Sequence, residues 1–231
     1  KKNRSSCVQA GPAAGRLECM ETRIMKILSK NGSVPLKLIH GHFATNHSHI
    51  NCYLDMTTLK TRQSEAQLAA QALVGHYVAT TIVDTILCLD GTQIIGAYLA
   101  QELSRAGFIS INAHQTIYVI TPEFDSNGQM LFRDNLQPMV RDKHVLILTA
   151  SVTTGISARK AMECVQYYGG SAAGVCAIFS AQDQVEGMPI QSVFGPEDVS
   201  GYQTYPSHDC PLCKNHTKLD ALVNGYGYSK L

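Results

Sequence analysis

The stretch VLILTASVTTGISARKAMECVQYYGG, residues 145–170, decides the fold class of this chain. Its first four residues are aliphatic, as in a strand that is buried on both faces of a sheet. Small residues follow at 149–155, and a helix is predicted from there to about Tyr168, where Gly169 and Gly170 end it. A buried strand, a loop and a helix in this order are typical of a parallel α/β sheet.

The same alternation runs through the middle of the chain. Three further strands are predicted at 81–89, 116–120 and 173–179, and two helices at 62–79 and 93–105, with Gly107 as a helix stop. The fold class is therefore α/β, with a parallel sheet of four or five strands and right-handed crossovers. At the N-terminal side, residues 20–30 predict one more helix, and residues 34–60 predict an irregular, His-rich segment.

The loops after the predicted strands lie at 90–93, 120–135 and 149–157, and ligands bind at this edge of a parallel sheet. In the last loop, Thr153, Thr154 and Ser157 surround a glycine. Backbone N–H groups at a helix start suit a phosphate, although an ordinary Ser/Thr helix cap explains the same residues equally well. The spacing fits neither a Walker loop nor a Gly-x-Gly-x-x-Gly dinucleotide loop.

These residues resemble the signature of the type I phosphoribosyltransferases, in which a strand, two acidic residues and a Thr-Thr-Gly turn follow one another. Within that group, the chain is most similar to the orotate phosphoribosyltransferase family. Residues 41–55, GHFATNHSHINCYLD, resemble that family's N-terminal stretch, and residues 209–214, DCPLCK, resemble the tail of some bacterial members. The resemblance spans residues 34–214.

The resemblance implies a type I phosphoribosyltransferase-like sheet flanked by helices, with a small lid from the N-terminal and C-terminal segments. It also implies transfer of phosphoribose from phosphoribosyl pyrophosphate (PRPP) to a pyrimidine base, with Mg²⁺, in a homodimer. The residues expected at the 5′-phosphate are Thr153, Thr154, Gly155, Ile156 and Ser157. The residues expected to contact the pyrophosphate through their backbone are Asp90, Gly91, Thr92 and Gln93.

Two parts of the family's catalytic pattern are missing. Thr149 and Ala150 stand where ribose-binding carboxylates are expected, and neither carries a negative charge. The loop at 120–128 contains two acids and no base, so it would repel pyrophosphate, and the next cation is Arg133. Because each lost charge-assisted hydrogen bond costs about 1.5–3 kcal/mol, transfer would be slower by orders of magnitude.

Two functions therefore stay open. The first is an orotate phosphoribosyltransferase-like enzyme, with a rearranged site that would use Asp90 or Glu123 together with the histidines at 42, 47 or 49. The second is a non-catalytic sensor or regulatory module that binds PRPP or a nucleoside monophosphate on the same fold. Lys60 and Arg62 are possible substitutes for the missing loop cations, but an exposed helix start is the favoured interpretation of both.

Two other groups of residues suggest metal binding. His208, Cys210, Cys213 and His216 have zinc-ligand spacing, yet four ligands from one short loop are uncommon, so the favoured interpretation is no metal site there. His40, His42, His47 and His49 form a second cluster, which we interpret as hydrogen bonding and packing, with a metal site or proton transfer as alternatives.

The composition argues against several classes of protein. With 19 Lys+Arg and 18 Asp+Glu the net charge is +1, which gives no support for nucleic-acid binding. No apolar run of about 18 residues predicts a membrane span. Cys88 and Cys176 lie in apolar runs, which favours buried free thiols and a reducing cytoplasm.

The domain organisation follows from these patterns. Residues 1–19 have no hydrophobic periodicity and are predicted to be a tail that could be non-native. The rest is predicted to comprise a lid segment at 20–60, a phosphoribosyltransferase-like core at 61–200 and a C-terminal tail at 201–231.

Overall fold

The computed structural model of the chain describes residues 20–105, 110–113 and 115–231. The tail predicted at 1–19 and the predicted helix stop Gly107 lie outside these residues. None of the helices in the described ranges is long and apolar enough to span a bilayer.

The described residues form 14 strands and five α-helices. In chain order the strands are β1 (Ile24–Leu28), β2 (Pro35–Ala44), β3 (His49–Asp55), β4 (Thr85–Cys88), β5 (Tyr118–Ile120), β6 (Glu123–Phe124), β7 (Met130–Leu131), β8 (His144–Val152), β9 (Ser171–Ser180), β10 (Gln184–Val185), β11 (Met188–Phe194), β12 (Thr204–Tyr205), β13 (Ala221–Asn224) and β14 (Gly227–Lys230). The α-helices are α1 (Thr57–Thr61), α2 (Gln63–Val74), α3 (Gln93–Ser104), α4 (Ile156–Tyr167) and α5 (Pro211–Lys214).

The core sheet has the strand order β10-β11-β9-β8-β4-β5. Five of its strands are parallel, and β10 pairs antiparallel at the β11 edge. Strand β8 is buried on both faces: Leu146 and Leu148 pack in one hydrophobic cluster with α2 and α3, and Val145 and Ile147 pack in another with α4. This period-two alternation explains the continuous apolar run in the sequence. The predicted α/β class with a parallel sheet is therefore confirmed.

The second sheet, which we call the terminal sheet, joins both ends of the described chain. Its strand order is β12-β3-β2-β13-β14, with β1 paired to β2. β13 runs parallel to β2, with Ala221 opposite Phe43, and Asp220 accepts hydrogen bonds from Arg23 and from the backbone N–H of His42. N-terminal and C-terminal segments thus form one layer. The domain boundaries at residues 60 and 200 stay a prediction.

The helix predicted at 20–30 and the irregular segment predicted at 34–60 are wrong. Residues 20–23 form a short 3-10 turn, β1 follows, and β2 and β3 form an antiparallel pair with a bulge between His40 and Phe43. β1 is an edge strand whose side chains are mostly exposed. Its conformation is therefore set by backbone pairing with β2, and not by burial of the apolar face of a helix. The polar residues within β2 and β3 hide their alternation in the sequence.

Candidate functional site

A cavity of about 350 Å³ lies between the core sheet and the terminal sheet, at the carboxyl ends of β4 and β8. Ligand sites of small molecules commonly have this size and this position in a parallel sheet. The core sheet contributes the polar residues Asp90, Ser151, Thr153 and Ser157 to its lining. The terminal sheet contributes aromatic and polar residues, among them His47, Tyr53 and Tyr226.

The turn at 153–157 connects β8 to α4. Gly155 has φ +79°, in the left-handed region that favours glycine, and it precedes the first residue of α4. In the described chain no side chain caps this helix start, so the N–H groups of its first turn are not satisfied by a cap. Thr153 and Ser157 line the cavity. The helix dipole, the backbone N–H groups and the two hydroxyls are the kinds of group that interact favourably with an anion.

A carboxylate from the turn after β4 lies where the acidic pair is expected at residues 149 and 150. Thr149 is 1% exposed, and its Oγ1 donates a hydrogen bond of 2.6 Å to Oδ2 of Asp90. Ala150 is buried and presents only a methyl group to the cavity. Parallel pairing of β4 with β8 brings the ends of both strands together, so Asp90, just after β4, places its carboxylate at the side chain of residue 149.

The turn at 90–93 leads from β4 into α3. Asp90 and Gly91 have φ values of +54° and +79°, and the buried Thr92 hydroxyl donates to the carbonyl oxygens of Leu89 and Leu148. Of the four residues predicted for pyrophosphate, Asp90 is the one that lines the cavity. Tyr226 covers Gly91, since a Cβ built there would lie 3.9 Å from the tyrosine ring.

The loop that follows β5 folds into a two-stranded hairpin of β6 and β7. Glu123 accepts hydrogen bonds from Arg133 at 2.7 and 2.8 Å, in an exposed ion pair. Phe124 and Met130 face the cavity instead. Glu123 is therefore engaged outside the cavity, and this loop adds apolar surface to the site.

Curated proteins similar to this chain in sequence are orotate phosphoribosyltransferases. The enzyme of Carboxydothermus hydrogenoformans is 30% identical over 178 residues, which cover 76% of this chain and 85% of that protein. The chain belongs to the orotate phosphoribosyltransferase family. The enzyme of Pelotomaculum thermopropionicum is 26% identical over 83% of this chain and 90% of its own length. The chain matches no protein-family model.

Two solved structures share the fold of this chain. Orotate phosphoribosyltransferase of Mycobacterium tuberculosis superposes with a TM-score of 0.50 at 19% identity, covering 71% of this chain and 93% of that one. UMP synthase of Leishmania donovani gives a TM-score of 0.51 at 16% identity, covering 69% of this chain and 34% of that one. The type I phosphoribosyltransferase fold expected from the sequence is thereby confirmed.

Lys60 lines the cavity of this protein. It is 8% exposed, and its Nζ donates to the carbonyl oxygens of Asp90, at 3.1 Å, and of Gly225. Burial lowers the pKa of the ammonium group, while the charges of Asp90 and Asp55 oppose that shift. The prediction that the side chain is exposed at a helix start is therefore wrong for Lys60. It is confirmed for Arg62, which forms an exposed ion pair with Glu65.

Replacing Lys60 by methionine tests this contact. Methionine fills similar volume but donates no hydrogen bond, so we expect Lys60→Met to lower the free energy of unfolding by about 2–3 kcal/mol. Urea unfolding measures the change. Lys160→Met, at an exposed position of α4, should change stability by less than about 0.5 kcal/mol. Equal stability of the Lys60 and Lys160 variants would contradict the assigned role.

The structure separates the histidines and cysteines singled out in the sequence. His47 lines the cavity, whereas His42 and His49 lie beside Cys210 and Cys213. His208 and His216, the other two residues proposed with the cysteine pair, are exposed and outside that group. Cys88 and Cys176 are buried free thiols, as expected.

Sequence reasoning missed the C-terminal hairpin of β13 and β14. Its turn brings Gly225 so close to Asp90 that a Cβ on the glycine would lie 2.2 Å from Oδ1, and Asn224 and Tyr226 line the cavity. The signal was present in the sequence, because Asn224-Gly225 between two short alternating runs is a strong hairpin indication.

Proposed function

We propose that the cavity binds a ligand with a ribose 5′-phosphate, either PRPP or a nucleoside monophosphate. The phosphate would lie on the turn at 153–157. The observation that carries this proposal is the uncapped start of α4 behind the left-handed Gly155, with Thr153 and Ser157 facing the cavity. Phosphate binds such helix starts through backbone N–H groups and the helix dipole.

We further propose that the protein transfers phosphoribose from PRPP to a pyrimidine base. In this reaction the bond from C1 to the pyrophosphate oxygen breaks, a bond from C1 to a base nitrogen forms, and that nitrogen loses its proton. Positive charge develops on the ribose, and a carboxylate stabilises it. Asp90 would supply that carboxylate in place of the acidic pair absent at 149 and 150, and the half-exposed Phe124 ring would contact the base.

The non-catalytic alternative is supported by two other features of the site. Ala150 offers no polar side-chain group, and Arg133, which follows the hairpin, forms an ion pair with Glu123. Such a site would bind a phosphoribosyl ligand but give little stabilisation to departing pyrophosphate. The non-catalytic alternative therefore predicts the same ligand binding as the transferase proposal, but no turnover.

Mg²⁺ and a homodimer remain proposals from the family resemblance. Asp90 is the one carboxylate among the described residues that line the cavity, and its Oδ2 already accepts the Thr149 hydroxyl. Mg²⁺ is usually held by one or two carboxylates together with substrate phosphates. The residues therefore do not form a magnesium site on their own, and the proposed roles of Asp90 and the 153–157 turn do not depend on one.

Two measurements on the unmodified protein test the proposed function. Titration calorimetry with PRPP and with uridine monophosphate, each with and without Mg²⁺, should show binding of at least one ligand. A coupled pyrophosphate-release assay with orotate and other pyrimidine bases should show turnover. Binding without turnover would support the non-catalytic alternative, and absence of binding at millimolar ligand would contradict both.

A further inference from the structure

We propose that His42, His49, Cys210 and Cys213 bind one zinc ion. Each residue offers one ligand atom, and these four atoms all lie within 4.8 Å of one another. The group lies outside the cavity lining, so the proposed function leaves it unused. The zinc site is independent of that function.

Four of the six distances between the ligand atoms are close to the edges of a zinc tetrahedron, and the other two are within 4.8 Å. His42 Nε2 lies 3.1 Å from His49 Nδ1, and Cys213 Sγ lies 3.3 Å from the same His49 atom. The Sγ atoms of Cys210 and Cys213 lie 3.5 and 3.6 Å from His42 Nε2. With Zn–N near 2.0 Å and Zn–S near 2.3 Å, tetrahedral geometry requires about 3.3 Å between nitrogens and about 3.5 Å between nitrogen and sulfur.

The hydrogen bond on the far side of His42 fixes the tautomer that metal binding needs. Nδ1 of His42 lies 2.8 Å from the carbonyl oxygen of Thr217, which only accepts, so Nδ1 carries the proton. Nε2 then presents a lone pair to the other three ligand atoms. A backbone carbonyl that orients a histidine in this way is a common partner of zinc ligands.

The local backbone aims the ligands at one point. His42 lies within the bulge of β2, and bulges redirect side chains. His49 begins β3, the strand that pairs with β2. Cys210 immediately precedes α5 and is 1% exposed, whereas Cys213 lies within α5 and is exposed. Two adjacent strands and one helical turn thus bring the four ligand atoms together. Because three separate elements converge on one point, the cluster is more than a contact between neighbouring residues of the sequence.

The donor set identifies the metal and its role. Two sulfur and two imidazole ligands in a tetrahedral arrangement favour zinc, and four protein ligands leave no open position for a substrate. The ion would be structural. It would fix α5 to the terminal sheet, upstream of the hairpin whose turn lies against Asp90.

Elemental analysis of untagged protein tests the proposal. After dialysis and addition of one equivalent of Zn²⁺, the wild-type chain should retain about one zinc per chain after gel filtration. Cys213→Ser and His49→Ala should each retain below about 0.2 zinc, whereas His208→Ala and His216→Ala, matched controls in the neighbouring segment, should retain the wild-type amount.

A spectroscopic measurement keeps the test independent of folding defects in the variants. Co²⁺ added to metal-free wild-type protein should give the intense visible bands of tetrahedral cobalt and a thiolate-to-cobalt charge-transfer band. Zn²⁺ should abolish both. Wild-type protein that retains no zinc and gives no such spectrum would overturn the proposal, as would a disulfide between Cys210 and Cys213 in protein purified under reducing conditions, or stoichiometric copper or iron in place of zinc.

Discussion

Asp90→Asn should lower pyrophosphate release by about 100-fold, the typical cost of removing one group that stabilises developing charge. Asparagine keeps the shape of the side chain and can still accept the Thr149 hydroxyl bond, which is 2.6 Å long in the wild type. It removes the negative charge, and with it the stabilisation of a positively charged ribose. Binding of uridine monophosphate, measured by calorimetry, should change by less than about threefold, because a ground-state ribose carries no such charge.

Asp84→Asn is the matched control, because Asp84 precedes the opposite end of β4 and lies far from the carboxyl edge of the sheet. Its Oδ2 accepts hydrogen bonds of 2.8 Å from the backbone and ring of His144. Burial tends to raise the pKa of this carboxyl, but the hydrogen bonds from His144 lower it overall. The variant should lose about 1 kcal/mol of stability and keep wild-type turnover. If Asp84→Asn lost as much turnover as Asp90→Asn, the loss would not be specific to the cavity, and the role of Asp90 at the ribose would be contradicted.

Ser157→Glu should weaken ligand binding on the order of 100-fold, because it places a carboxylate beside the proposed phosphate position. Ser157 is exposed and is the second residue of α4. A negative charge there interacts favourably with the helix dipole, so the free energy of unfolding should rise by about 0.3–1 kcal/mol. Loss of affinity together with unchanged or increased stability distinguishes repulsion of phosphate from damage to the fold.

Ser64→Glu provides the control for this charge. Ser64 is likewise exposed and second in its helix, α2, and it does not line the cavity. The same gain in stability is expected, with affinity for uridine monophosphate unchanged. If Ser157→Glu bound the nucleotide as tightly as Ser64→Glu, the phosphate could not lie at the start of α4.

The core sheet could be predicted from the sequence because its strands are buried on both faces. Leu146 and Leu148 face one cluster, and Val145 and Ile147 face the other, so the whole run is apolar and stands out. The terminal sheet lacks this signal. Exposed Ile24 and Met25 in β1 and the histidines of β2 and β3 obscure the alternation, and the pairing that orders these strands joins distant parts of the chain.

The sequence could name several residues of the candidate site, but it could show which of them lie together only where they are close in sequence. The turn at 153–157 was recognisable because strand, turn and helix are contiguous. The carboxylate at Thr149 comes from Asp90, 59 positions away. Likewise, the Cys-x-x-Cys pair was recognisable, but His42 is 168 positions from Cys210. No spacing rule connects such residues, since the fold alone brings them together.

The position of a bound phosphate tests the central claim most directly. In a crystal structure of the protein with uridine monophosphate, we expect phosphate oxygens within about 3.2 Å of the backbone nitrogens of residues 155–157, with the hydroxyls of Thr153 and Ser157 as further donors. A nucleotide bound with its phosphate elsewhere, while that turn packs against protein side chains, would contradict the proposal.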